Sequence, residues 1–500
     1  MGLKAFLSKP LASYFAGRIR AWSSRPAETQ QIEFDRLLKT GRNTAFGRDH
    51  GFADIKTYED FKKQVPVKDY EQLRPYLDRV AAGEADVLWK GRPLYLSKTS
   101  GTTSGVKYIP ISKESISNHI NCARNALFMY IAETGKSDFL DGKMIFLSGS
   151  PVLGEINGIP TGRLSGIVNH HVPGYLKGNQ MPTYRTNCIE DWEEKVDAIV
   201  SETMNADMRV ISGIPPWMQM YFDRLQARTG KSIKDLFPNF SLFIYGGVNY
   251  EPYRAKMEAT IGKKVDGIEL FPASEGFMAY QDSREHPGMM LVLNEGIFYE
   301  FIPAAEYFND NPTRVSLQDV ELGVSYAIIL NTTAGLWGYS IGDTIKFVSK
   351  DPYRMLVTGR LKHFISAFGE HVIGEEVEQA LLSAARNSGV EITEFTVAPQ
   401  VTPAEGPPYH EWFIEFAKKP YDMESFRLEV DRLMQQKNIY YRDLVGGGIL
   451  QPLVIRDLKK DAFIDYMRSQ GKLGGQNKVP RLSNDRKIAD ELLKYALVEA

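Results

Sequence analysis

Cysteine is scarce in this 500-residue chain, with Cys122 and Cys188 its whole complement. That excludes a disulfide scaffold and a cysteine-based zinc cluster, and makes a reducing cytoplasm the expected compartment. Net charge is lacking too. Lys and Arg number 60 against 62 Asp and Glu, so no nucleic-acid partner is expected. No run approaches the roughly 18 uncharged apolar residues of a membrane span. At the N-terminus Lys4, Lys9 and Pro10 break the apolar residues too early for a signal-peptide core, and Phe6 stands where a myristoylation signal after Gly2 needs Ser or Thr. Residues 1–22 instead read as an amphipathic helix packed on the body. The absence of any repeat or low-complexity tract excludes solenoids and propellers. The eight histidines form no His-Glu-x-x-His pattern, and the adjacent pair His170-His171 points in directions unsuited to a shared metal.

What is present is an ordinary globular composition, 43% hydrophobic and 24% charged, over a length that suits two to four domains at roughly 100–200 residues each. Residues up to about Lys90 are helix-rich. Pro93 to Tyr95 leads into a Ser/Thr/Gly loop from Ser97 to Lys107, and a helix is expected directly after it, capped by Ser112 and striped by Ile116, Ile120, Ala123, Leu127 and Ile131. Strand-like runs at 144–147, 210–212, 242–245 and 265–271 then alternate with helical patterns at 192–203 and 217–229. This is the signature of an α/β domain with a largely parallel sheet. Runs at 291–302, 325–331 and 344–349 lack long helices between them and suggest an antiparallel annex. Beyond Lys362 the texture restarts with helices at 374–387 and 424–436 around strands at 393–399 and 411–417. The expected division is a large α/β N-terminal domain, 1–361, and a small α/β C-terminal domain, 362–500.

The sharpest chemical feature is Thr99-Ser100-Gly101-Thr102-Thr103-Ser104-Gly105-Val106-Lys107. Closely spaced glycines let backbone N–H groups face phosphate oxygens, hydroxyls add donors and a lysine neutralises charge. Val106 separates Gly105 from Lys107, so this is no Walker A loop. Glu275, after an expected strand and beside Ser274, is a hard oxygen ligand suited to Mg²⁺ on phosphates; the bland alternative is a helix cap. Asp343 follows Gly342 at an expected turn into a strand. Gly338-Tyr339-Ser340-Ile341-Gly342 fits the nucleophile-elbow expression, but the residues after it continue as strand where an elbow needs a helix.

The loop from Thr99 to Lys107 resembles the phosphate-binding signature of the adenylate-forming superfamily, which includes firefly luciferase, acyl-CoA synthetases and the plant auxin-responsive acyl acid amido synthetases. Other segments follow in the superfamily's order. Gly246-Gly247-Val248 is similar to its adenine-side turn. Phe271-Pro272-Ala273-Ser274-Glu275-Gly276 resembles the motif whose aromatic packs on adenine, whose hydroxyl meets the α-phosphate and whose glutamate holds magnesium. Asp343 matches the ribose-binding aspartate, and Gly359-Arg360-Leu361-Lys362 the ribose arginine and hinge. The amido synthetase branch matches best, through Thr44, Phe46, Gly47, His50, Gly51 and Phe52 early and Gln476, Lys478, Pro480 and Arg481 late. The resemblance implies ATP and Mg²⁺ as cofactors, and a mobile C-terminal domain that brings Lys478 to the phosphates for adenylation. It also implies an acyl pocket lined by the helix carrying Arg124, a candidate for a substrate carboxylate with a surface salt bridge as the alternative. Many amido synthetases carry arginine where Gly338 and Ser340 stand here, and plant relatives tend to carry lysine at the place of His371.

The implied activity is ligation of a carboxylic acid to an amino acid through an acyl adenylate, with small-molecule partners only. An acyl-CoA ligase shares the first step, and a non-catalytic nucleotide or acyl-acid sensor is the alternative of another class.

Overall fold

The computed structural model describes residues 2–100, 106–247, 250–361, 364–365, 370, 372–446, 448–473 and 478–497. Two compact units form: Met1–Val248 with Thr260–Val357, and Asn249–Ala259 with Thr358–Ala500. Their division falls between Val357 and Thr358, and the second unit also takes an eleven-residue segment from mid-chain.

The first unit opens with helices α1 (Leu3–Ser23), α2 (Pro26–Gly41), α3 (Ala45–Asp49), α4 (Tyr58–Gln64) and α5 (Tyr70–Ala81). As expected, α1 is packed on the body, but it is not the amphipathic helix expected, because its exposed face carries the larger apolar side chains. Ala5, Ala12, Ala16 and Ile19 are buried while Leu3, Phe6 and Leu11 face water, and Phe15 stacks at 5.1 Å on Phe128 of α6 (Lys113–Thr134). The early motif is structural. The Thr44 hydroxyl accepts from the Gly47 N–H and caps α3; Phe46 and Phe52 pack on Trp337; His50 stacks on Phe46.

Strands β1 (Tyr95–Ser100) and β2 (Val106–Ile111) form an antiparallel hairpin that sets Thr99 opposite Lys107. The residues between that loop and Ser112, given no element in the sequence analysis, form a strand, and α6 begins after it, capped as expected by Ser112 in a reciprocal box with Ser115. Pro110 had masked this strand; it is tolerated because β2 lies at the sheet edge.

After β3 (Lys143–Phe146), strands β4 (Gly154–Ile156) and β5 (Ile159–Gly162) extend the hairpin in the order β2-β1-β5-β4. The remaining strands are β6 (Gln180–Met181), β7 (Met208–Gly213), β8 (Leu242–Gly246), β9 (Asp266–Ala273), β10 (Gly276–Tyr280), β11 (Met289–Leu291), β12 (Ile297–Pro303), β13 (Ser325–Thr332), β14 (Tyr339–Lys350) and β15 (Tyr353–Arg360). Among the described residues they join β3 in one eleven-stranded sheet, ordered β12-β13-β14-β15-β11-β10-β9-β8-β7-β3-β6. Pairings from β6 through β9 are parallel, and those from β9 to β12 are antiparallel where registered. The supposed annex is thus the same sheet continued, and the run at 291–302 resolves into β11 and β12.

In the second unit the helices Gly374–Ser388 and Met423–Lys437 pack on a sheet of Glu391–Gln400, Tyr409–Lys418 and Val454–Leu458. Leu381, Trp412, Ile414, Phe426 and Val430 form its dry centre. No helix among the described residues is long and apolar enough to cross a membrane.

Candidate active site

Strands β9 and β10 pair Ala273 with Gly276, which leaves Ser274 and Glu275 as a two-residue turn. The Ser-Glu pair therefore sits at a hairpin tip and caps no helix. The Ser274 hydroxyl shares a 2.9 Å hydrogen bond with the hydroxyl of Ser97, fully buried in β1. This contact ties the strand leading into the Ser/Thr/Gly loop to the turn carrying Glu275. On the other arm of that hairpin the Lys107 ammonium lies 5.1 Å from the centre of the Tyr70 ring, whose hydroxyl accepts the Tyr108 N–H at 3.0 Å. Thr99 and Ser100 end β1. Gly101, Thr102, Thr103, Val248, Lys362 and His371 lie outside the described residues.

Asn118, which the sequence reading passed over, holds the Glu275 hairpin in place. Strand β11 reaches β10 only at Ala279 and Tyr280, and β10 bulges between Phe277 and Ala279. From α6 the buried Asn118 side chain accepts the Phe277 N–H at 2.7 Å and donates to the Phe277 carbonyl at 3.2 Å. One amide does for the hairpin tip what a strand would do further along. Beside it, His119 is buried and neutral, its pKa pushed down to about 4 by desolvation.

Gly246 ends β8 opposite Leu270. A Cβ there would stand 2.2 Å from the Leu270 carbonyl oxygen, so glycine is required for the two parallel strands to close up. Gly247 follows at φ +81°, and Phe271 is buried in β9. Asp343 is not at a turn. It lies within β14, where Ile341, Gly342 and Asp343 bulge opposite Ile328, with Gly342 at φ +82°. Such bulges re-aim a side chain out of the regular pleat. Ser340 is buried within the same strand, its N–H donated to the Lys68 carbonyl at 2.9 Å; the elbow geometry is absent. Gly338 has φ +56°, and a Cβ would come 2.7 Å from the Pro66 carbonyl. An arginine does not fit there.

Arg124 on α6 places its guanidinium 4.3 Å from the Phe15 ring centre and donates to Asn125 Oδ1 at 3.1 Å. These contacts are with α1 and its own helix, and its charge also acts on the half-buried Glu295. In the second unit Arg360 ends β15, exposed, and Lys478 is exposed two residues before Pro480. The Pro480 carbonyl accepts from Thr396 Oγ1 at 2.6 Å. Arg481 lies 3.3 Å from Glu378, pairs with Glu394, and stacks on Phe395 at 4.7 Å. The Tyr253 hydroxyl accepts from Arg481 and donates to Glu394 at 2.8 Å. Of the late motif, Arg481 is the half-buried anchor, and Lys478 is exposed.

Among the described residues no group of three or more His, Cys, Asp or Glu converges on one point, which excludes an all-protein metal cage there. A single hard carboxylate at a hairpin tip suits Mg²⁺, which takes its remaining ligands from phosphates and water.

The architecture is that of adenylate-forming ligases. A 2-hydroxyisobutyryl-CoA ligase in its postadenylation state superposes with a TM-score of 0.60 at 14% identity, over 94% of this chain and 92% of its own. Closer in shape is the GH3.15 acyl acid amido synthetase, with a TM-score of 0.80 at 16% identity over 96% of each chain. Residues 15–180 match the GH3 family N-terminal domain, 290–360 the GH3 family central domain and 375–487 the GH3 family C-terminal domain. The chain belongs to the GH3 family. Relatives include the 4-substituted benzoates-glutamate ligase GH3.12 of Arabidopsis thaliana, 23% identical over 85% of this chain and 87% of its own. The jasmonoyl--L-amino acid synthetase JAR4 of Nicotiana attenuata is 22% identical over 63% and 66%.

Proposed function

We propose that this chain is an ATP-dependent acyl acid amido synthetase working on small-molecule acids and amino acids in the cytoplasm. The observation that carries the reading is the Ser97–Ser274 hydrogen bond, which joins the hydroxyl-rich hairpin to the turn bearing Glu275 within a GH3 chain.

In the first step a carboxylate oxygen of the acid bonds to the α-phosphorus of ATP while the bond to pyrophosphate breaks. In the second, the neutral amine of an amino acid attacks the acyl carbon, the bond to AMP breaks and the amine proton leaves to solvent. The work of the chain is positioning and charge neutralisation, since negative charge spreads over phosphate oxygens in the transition state. Thr99, Ser100, Gly101, Thr102 and Thr103 are assigned to the phosphates, with Lys107 neutralising them. Gly246, Gly247, Val248, Phe271 and Ala273 are assigned to adenine, Ser274 to the α-phosphate, and Asp343 and Arg360 to the ribose. Glu275 would hold Mg²⁺, which when bound supplies further neutralisation of phosphate charge. Lys362 is the proposed hinge between domains 1–361 and 362–500, and Lys478 the lysine delivered for adenylation. Arg124, engaged with Phe15, is assigned to packing. Family membership favours an amine over a thiol acceptor.

Lys107→Ala and Glu275→Ala should each lower acid-dependent pyrophosphate release by about 10²–10³, the worth of one charge-assisted transition-state contact, with unchanged circular dichroism. Near wild-type release in either variant would remove the phosphate-site assignment.

A further inference from the structure

Among the described residues Arg163 is a cation without a counter-ion. It follows Gly162, the last residue of β5, which pairs in parallel register with Ser97 of β1. Burial lowers its pKa, yet among the described residues no hydrogen bond or ion pair meets its guanidinium. The guanidinium is half-buried, so its five N–H donors keep some access to water and stay available to an anionic ligand. The side chain nevertheless has a fitted berth. Its stem crosses Gly149, where a Cβ would stand 2.9 Å from Arg163 Cδ.

A second cation lies behind the same turn. Lys195 is 2% exposed, and its ammonium donates to the carbonyls of Ser148 at 2.9 Å and Asn187 at 2.7 Å. Burial pushes its pKa down to about 8; Cys188 opposes that shift and the nearby charge of Arg163 adds to it, with no carboxylate among the causes. The Ser148 hydroxyl and Asn187 Oδ1 are buried without partners. All of this gathers just past the carboxyl end of β3, where open α/β sheets take their ligands.

We propose that Arg163 holds the α-carboxylate of the acceptor amino acid, with Lys195 positioning the Ser148–Gly149 turn beneath it. This rests on the amido synthetase reading. The acid's own carboxylate is the less suitable ligand. It loses its charge as the adenylate forms, so a permanent ion pair would stabilise the ground state more than the transition state. An α-carboxylate keeps its charge throughout and can be held without that penalty.

The test uses the full chain and the acyl adenylate of an acid that the wild type activates. Amide formation is followed with each L-amino acid and, separately, with its primary amide and with hydroxylamine, which carry no carboxylate. In Arg163→Gln the KM for the preferred amino acid should rise about 10- to 100-fold, the worth of a charge-assisted hydrogen bond, while the KM for the carboxylate-free amines changes far less. Arg163→Lys should recover part of the loss, a readout that a purely structural role would not move. An unchanged amino-acid KM, or equal losses with hydroxylamine, overturns the proposal. A rise in the KM of the acid in pyrophosphate release instead identifies the acid as the carboxylate held and overturns it too. Failure of the wild type to release pyrophosphate with any acid would defeat the amido synthetase reading itself, a result distinct from all of these.

Discussion

Removing the Asn118 side chain tests how the Glu275 hairpin is held. Asn118→Ala deletes the acceptor of the Phe277 N–H at 2.7 Å and the amide donor to its carbonyl at 3.2 Å, leaving that carbonyl only the weak Cys122 thiol donor at 3.9 Å. Phe277 is 3% exposed, so its N–H and C=O would be left buried. Each orphaned group costs about 1–3 kcal/mol, which sums to about 2–6 kcal/mol. The vacated volume admits water, and the lower half of that range is expected. Urea unfolding followed by tryptophan fluorescence should show the loss as a lower midpoint with little change in slope. Asn118→Asp separates the two bonds. The carboxylate can still accept from the N–H but faces the Phe277 carbonyl with a lone pair, so this variant should also be destabilised. Because the hairpin tip carries Ser274 and Glu275, pyrophosphate release should fall in both. Stability within about 0.5 kcal/mol of wild type, the scatter of ordinary surface changes, would refute the bracing role. An Asp variant indistinguishable from wild type would refute the donor half of it.

The buried Lys195 predicts a pH dependence. Between pH 8 and 10.5 the folded chain has released a proton that the unfolded chain still holds, so stability gains from this residue as pH rises through that window, by up to about 3 kcal/mol; Lys195→Met should lose the slope, and equal slopes in the two proteins would contradict the assignment. Lys478→Ala should slow adenylation strongly and leave amide formation from supplied adenylate nearly intact, with equal loss in both half-reactions as the contrary result. Ser340→Ala should keep most activity and the wild type should resist serine-directed phosphonates. Gly338→Arg should misfold or lose several kcal/mol, because Pro66 occupies the space; a stable variant would show that the turn relaxes.

Regular elements were legible where one periodicity dominated. The helix Trp192–Thr203 matches its apolar spacing end to end, and Ser112 caps α6 as its position before the apolar stripe implied. The elements that escaped depend on distant partners. Strand β2 contains a proline and is short, and only its edge position makes that harmless. The bulge at Asp343 is a mismatch with β13, invisible from β14 alone. Asn118 reads as an ordinary polar residue on an amphipathic helix, because its partner stands 159 residues away. Arg163, between Gly162 and Leu164, carries no motif at all; what distinguishes it is that no counter-ion meets it among the described residues, a property that only the folded chain has. The site motifs were readable because each is a local run, Phe271 to Glu275 or Thr99 to Lys107, that reports a shared chemistry.

The mid-chain segment Asn249–Ala259 belongs to the second unit, and this has a consequence during synthesis. Tyr253 leaves the ribosome 228 residues before Arg481. At about 5–20 residues per second, its hydroxyl and ring wait roughly 10–50 seconds for the guanidinium that will cover them. A ribosome that stalls or terminates just after Arg360 would leave a chain whose eleven-stranded sheet is complete but whose Tyr253 segment has no destination. Such a fragment offers chaperones a specific apolar handle, and the arrival of the segment carrying Arg481 decides whether it is withdrawn.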